Sequence, residues 1–153
     1  MSQDQYAAPA TTFNKAVSPA IAIYSPIQIA FGTFLGGPVG LIYFLWKNFV
    51  ALEKYTYARR CLILGAALIA ALWLLLPFLP EKTSGMPFAI AYVITARHIA
   101  ETYQLTKPAI AEDPRYSFRS NWNVVVAGVL CLVGSVVLIV GPILALYMFG
   151  IVK

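Results

Sequence analysis

The chain has 153 residues, 60% of them hydrophobic and only 11% charged, with a formal net charge of +5 and a mean hydropathy of +0.76. Soluble domains carry about 25% charged residues, so this composition excludes an ordinary water-soluble protein and points to one that uses lipid as its solvent. The eleven Lys and Arg are spread between apolar runs instead of forming one dense patch, which argues against nucleic acid as a partner.

Residues 1–24 read as a polar tail followed by an apolar lead-in, Ala16 to Tyr24, which Pro19 interrupts. The lead-in is too short to span and is expected to be interfacial or re-entrant. From Ala16 to Trp46 there are 31 residues without a charged side chain. A first helix is predicted over 26–47. Ser25 suits the N-cap, Pro26 the first helical position, and Gln28 completes a capping box. Gly32, Gly36 and Gly40 then fall on one stripe, while Gly37 and Pro38 mark a helix break. Two readings of this stripe stand side by side: close helix packing, which is favoured, or a broken helix lining a transport site.

A second helix is predicted over 61–79, anchored by Arg59-Arg60 and closed by Pro77 and Pro80. A third is predicted over 86–105 and carries Arg97, His98 and Glu101 toward its end. A fourth, over 122–149, is long enough to tilt or bend, with Gly141-Pro142 as the expected bend and Ala127, Cys131 and Ser135 as a second small-residue stripe. The fold class is therefore all-α: one transmembrane helical domain over 25–153 with four spans, or three if the segment from Met86 to Leu105 does not cross.

Crossing of the third segment puts Lys47, Lys54, Arg59, Arg60, Lys107, Arg115 and Arg119 on one side and Lys15, Lys82 and Lys153 on the other. That asymmetry favours four spans, basic loops in the cytoplasm and both termini outside it, in a cell inner membrane. No cationic leader with a small-residue cleavage site precedes the first span, so that span is expected to be retained.

Arg97, His98 and Glu101 form the one ionisable cluster expected at membrane depth, where such groups usually face a bundle interior or a water-filled cavity. The competing reading is a snorkelling Arg paired with Glu near the cytoplasmic end of an ordinary helix. Tyr55 and Tyr57, with Arg115, Tyr116, Phe118 and Arg119, form a cytoplasmic aromatic and basic rim suited to headgroup anchoring or protein contact. Cys61 and Cys131 lack metal or redox spacing and read as free buried thiols. With one histidine in the chain, no catalytic constellation and no cofactor motif, neither catalysis nor a metal nor a cofactor is expected.

The segment Tyr24-Ser25-Pro26-Ile27-Gln28-Ile29-Ala30, followed by Gly32-Thr33-Phe34-Leu35-Gly36-Gly37-Pro38, resembles the N-terminal signature of small bacterial inner-membrane proteins of no known activity. The resemblance implies a bacterial membrane protein and transfers no functional residue. The expected function is non-enzymatic: a small integral membrane protein acting through protein contacts, as an immunity protein or an accessory subunit, with the bilayer and either a partner protein or further copies around it. The alternative is an oligomeric channel or small transporter using Arg97, His98 and Glu101.

Overall fold

A computed structural model describes residues 20–75, 78, 80 and 84–148. The expected polar tail, the end of the second helix, and Lys15, Lys82, Phe149 and Lys153 lie outside these residues. The elements are β1 (Ile21–Ile23), α1 (Pro26–Ala51), α2 (Tyr55–Leu75), α3 (Met86–Tyr103), α4 (Lys107–Glu112), β2 (Tyr116–Phe118) and α5 (Asn121–Met148). The molecule is predominantly helical, as the composition demands.

The first predicted span requires correction. α1 is not one helix but two antiparallel arms, residues 26–36 and 38–51, which reverse at Gly37 with φ 60° and ψ −148°. That conformation is essentially restricted to glycine, because any Cβ would clash with the backbone. Pro38 then opens the second arm at a position where its missing N–H costs no hydrogen bond. The reversal brings Tyr24 against Asn48: the Tyr24 N–H donates to Asn48 Oδ1 at 2.9 Å, and Asn48 Nδ2 donates to the Tyr24 carbonyl at 2.7 Å. In a straight helix these residues would stand about 36 Å apart.

Each arm is too short to cross on its own. Arms of 11 and 14 residues rise about 16 and 21 Å, against a hydrocarbon core of about 30 Å. By length and apolarity α1, α2 and α5 qualify as candidate membrane-spanning helices, and in α1 that length is folded back on itself at Gly37. Among the described residues three helices qualify, and the segment from Met86 to Tyr103 is not one of them.

The hairpin is the centre of the bundle, with α2, α3 and α5 all packed on it. Its arms close to backbone contact: a Cβ on Gly40 would lie 2.9 Å from the Gly32 carbonyl oxygen. The Phe44 ring fills the space over Gly32 and meets Tyr24 edge to face, with ring centroids 5.0 Å apart. Ile29, Leu45, Ala96, Ala100 and Val124 complete the buried core. Gly65 of α2 seats on Ile42, and Trp73 Nε1 donates to the Leu138 carbonyl at 2.9 Å, tying the far part of α2 to α5.

α2 starts at Tyr55, six residues before the predicted Cys61. A helix-ending turn supplies the reason. Glu53, with φ 57°, lets the Lys54 N–H return to the Phe49 carbonyl, and the next helix begins at once. α3 ends at Tyr103, where Gln104 leaves the helix to bond with the second arm, and α5 runs on through Pro142 to Met148. The two short strands, which the apolar pattern does not announce, pair in parallel with Ile21 opposite Tyr116 and Ile23 opposite Phe118.

Candidate functional site

The hairpin has two polar places, its apex and its mouth. At the apex the break exposes backbone groups that lipid cannot satisfy, and such backbone survives at membrane depth only when buried in protein. One hydroxyl from α5 resolves this. Ser135 Oγ donates to the Gly36 carbonyl at 2.6 Å and accepts from the Val39 N–H at 3.3 Å. Gly36 makes the approach possible, since a Cβ there would lie 2.7 Å from Cys131 Cβ.

Thr33 Oγ1, fully buried between the apex and the mouth, has no hydrogen-bond partner among the described residues.

The mouth is held by amides. Besides its bonds to Tyr24, Asn48 Nδ2 donates to Gln104 Oε1 at 3.0 Å, and Gln104 Nε2 donates to the Leu45 carbonyl at 3.0 Å. Ser25 and Gln28 form the anticipated capping box, with bonds of 3.0 and 3.3 Å. Gln28 Nε2 goes further, donating to the Arg119 carbonyl and to Asn121 Oδ1 at 2.7 Å each. The start of α5 is thereby fastened to the start of α1. A polar cleft of about 480 Å³ lies beside it, lined by Ser25, Gln28, Phe118 and Asn121 and by two cations, Lys107 and Arg119.

The predicted contact residues share this end of the bundle but fall into two groups. Tyr57 stacks on Phe49 and meets Tyr103, each with ring centroids 5.7 Å apart, and Tyr55 is exposed nearby at the start of α2. Arg115, Tyr116, Phe118 and Arg119 sit on or beside β2. Arg119 is built into the fold: its backbone N–H donates to the Ile23 carbonyl, its Nε to the Ala22 carbonyl, and its guanidinium lies 5.3 Å from the Tyr24 ring centroid. Arg115 is exposed and grips Asp113 in a bidentate pair, with Nη2 2.7 Å from Oδ2. Hydrogen bonds from the Arg115 side chain, then from its backbone N–H, hold the Asp113 carboxyl below the usual carboxylate range. Burial raises the Tyr24 phenol.

Arg97 and Glu101 do pair, at 2.8 Å, but on the face of α3 turned away from the hairpin; both side chains, and His98 beside them, are exposed. The buried face of α3 is Ala96 and Ala100. Arg97 stands six residues before the end of α3 at Tyr103, about 9 Å along the axis and within snorkelling reach of that end. Gly32, Gly36 and Gly40 pack within the chain, and Gly37-Pro38 forms the reversal. Both cysteines are free, Cys61 half-buried and Cys131 buried, and among the described residues no group of three His, Cys, Asp or Glu side chains converges as metal ligands would.

The residues whose bonding role sequence reasoning missed are Asn48, Gln104 and Ser135, the last read only as a small packing residue. Each is an uncharged polar side chain at the edge of, or inside, an apolar run. That is a usable signal, because burying such a group in lipid or protein requires a partner.

The chain matches no protein-family model, no curated protein and no solved structure.

Proposed function

We propose that this is a non-enzymatic integral membrane protein that works by binding another protein, as an immunity protein or accessory subunit, through the aromatic and basic end of its bundle. One contrast supports the reading. The polar groups inside the hairpin are nearly all occupied by one another, whereas Tyr55, Phe118 and Trp122 stay exposed at the end that also carries Lys54, Lys107 and Arg115. Tyr, Trp and Arg are the residues that most often dominate protein interfaces. In the proposed topology this end faces the cytoplasm of a bacterial inner membrane, because it gathers the seven cations that the positive-inside rule assigns to one side.

The experiment is purification in mild detergent from the native host, followed by mass spectrometry of what accompanies the chain. A stoichiometric second protein, weakened in recovery by Arg115→Glu and by Phe118→Ala while the chain still inserts, is the expected result. A homo-oligomer free of other proteins, conducting ions in liposomes in a manner that Arg97→Gln or Glu101→Gln alters, would replace this reading with the channel one.

A further inference from the structure

Beyond the two polar places, the bundle contains an apolar cleft of about 480 Å³ between α2 and α3, floored by the second arm of the hairpin. It exists because α2 and α3 each pack on the hairpin more than on each other. They meet at the basic end, where the Tyr57 and Tyr103 rings lie 5.7 Å apart and Lys54 Nζ donates to the Tyr103 carbonyl at 2.7 Å. Below that roof the walls are aliphatic: Leu41 on the floor, Leu64 and Leu68 on α2, and Ile99 on α3.

The cleft has a single charged lining residue, Arg60. Its guanidinium is held 6.0 Å from the Tyr57 ring centroid, and among the described residues no carboxylate pairs with it. Leu68 lies eight residues deeper on α2, about 12 Å toward the bilayer centre. A cation at the rim above an apolar slot has the polarity of an anionic amphiphile standing in the basic-side leaflet, where anionic lipid collects around Lys and Arg. We propose that the cleft holds one acyl chain of an anionic phospholipid, with the lipid phosphate at Arg60. The guanidinium supplies a fork of donors to phosphate oxygens, and Tyr57 restricts where that fork points.

The test is native mass spectrometry of the full chain in mild detergent, titrated separately with phosphatidylglycerol, phosphatidylcholine and glycerol phosphate. One phosphatidylglycerol per chain should be retained under activation that strips phosphatidylcholine, and glycerol phosphate should not be retained, because it lacks the acyl chain. Arg60→Gln should lower phosphatidylglycerol retention at least about tenfold, the worth of a hydrogen bond between charged groups. Arg59→Gln, outside the cleft, should leave retention unchanged, and Thr95→Trp, which fills the cleft from its α3 wall, should abolish it; thermal melting in detergent checks that each variant is folded. Equal retention of the two phospholipids, equal loss from the Arg59 and Arg60 variants, or retention undiminished in a folded Thr95→Trp would each overturn the proposal.

Discussion

Gly36, Gly37 and Pro38 show what a three-residue stretch can say about a backbone. The break itself was legible, since one of these residues lacks a donor and another tolerates a left-handed φ. The partner of the break was not, because Ser135 lies 99 residues away from Gly36 and read as one small residue in a packing stripe. Replacing Ser135 with Ala removes the side-chain partner of the Gly36 carbonyl and the Val39 amide, and should lower stability by about 1–3 kcal/mol, measured as a shift in thermal unfolding in detergent. Wild-type stability in Ser135→Ala would mean that the apex is satisfied in some other way. At the exposed end, Asp113 gives a pH signature with a definite sign. Its pKa is depressed in the folded chain, so its bond to Arg115 is fully formed above the ordinary carboxylate range and is lost as pH falls through the depressed value. A carboxyl-carbon NMR titration should place Asp113 below ordinary aspartates, and Arg115→Gln should return it toward them.

Among the elements, the long helices followed from hydropathy and their ends from local chemistry, whereas the six-residue α4 lies in a stretch too polar and turn-rich to announce a helix. The capping box at Ser25 and Gln28 needed only a four-residue pattern. The start of α2 moved to Tyr55 because the turn before it depends on Glu53 in a left-handed conformation, which glycine or asparagine would have advertised and glutamate does not. Such a conformation costs an ordinary residue about 1–2 kcal/mol, so Glu53→Gly should stabilise the protein by about 0.5–1 kcal/mol after allowing for the greater freedom of glycine when unfolded. A loss of stability would show that the Glu53 side chain contributes more than its backbone costs. β1 and β2 were invisible for another reason: three-residue strands carry too short a pattern, and their pairing joins segments 95 positions apart in register.

At the scale of the whole molecule, the positions of the charges were easier to foresee than the path of the chain. The seven cations expected on one side do gather at one end of the bundle, yet they do so with the first segment folded back to that end by the reversal at Gly37. Hydropathy cannot separate the two paths, because both arms of the hairpin are as apolar as a span. Ile21–Ile23 consequently lies at the basic end, so the crossing that placed the N-terminus opposite the basic loops no longer supports that placement. The outward face of α3, with Arg97, His98 and Glu101, was equally hidden: alanines at 96 and 100 give no hydrophobic contrast to show which side packs.

The hairpin in α1 is the claim on which the rest depends, and a distance measures it directly. Spin labels at Ile27→Cys and Lys47→Cys, in a chain whose two native cysteines are replaced by alanine, should lie about 20 Å apart or less, as in adjacent packed helices once label arms are included. Twenty residues of straight helix would instead separate them by about 30 Å before any label is added. A distance distribution centred at or beyond 30 Å in lipid nanodiscs would contradict the hairpin and restore a single first span.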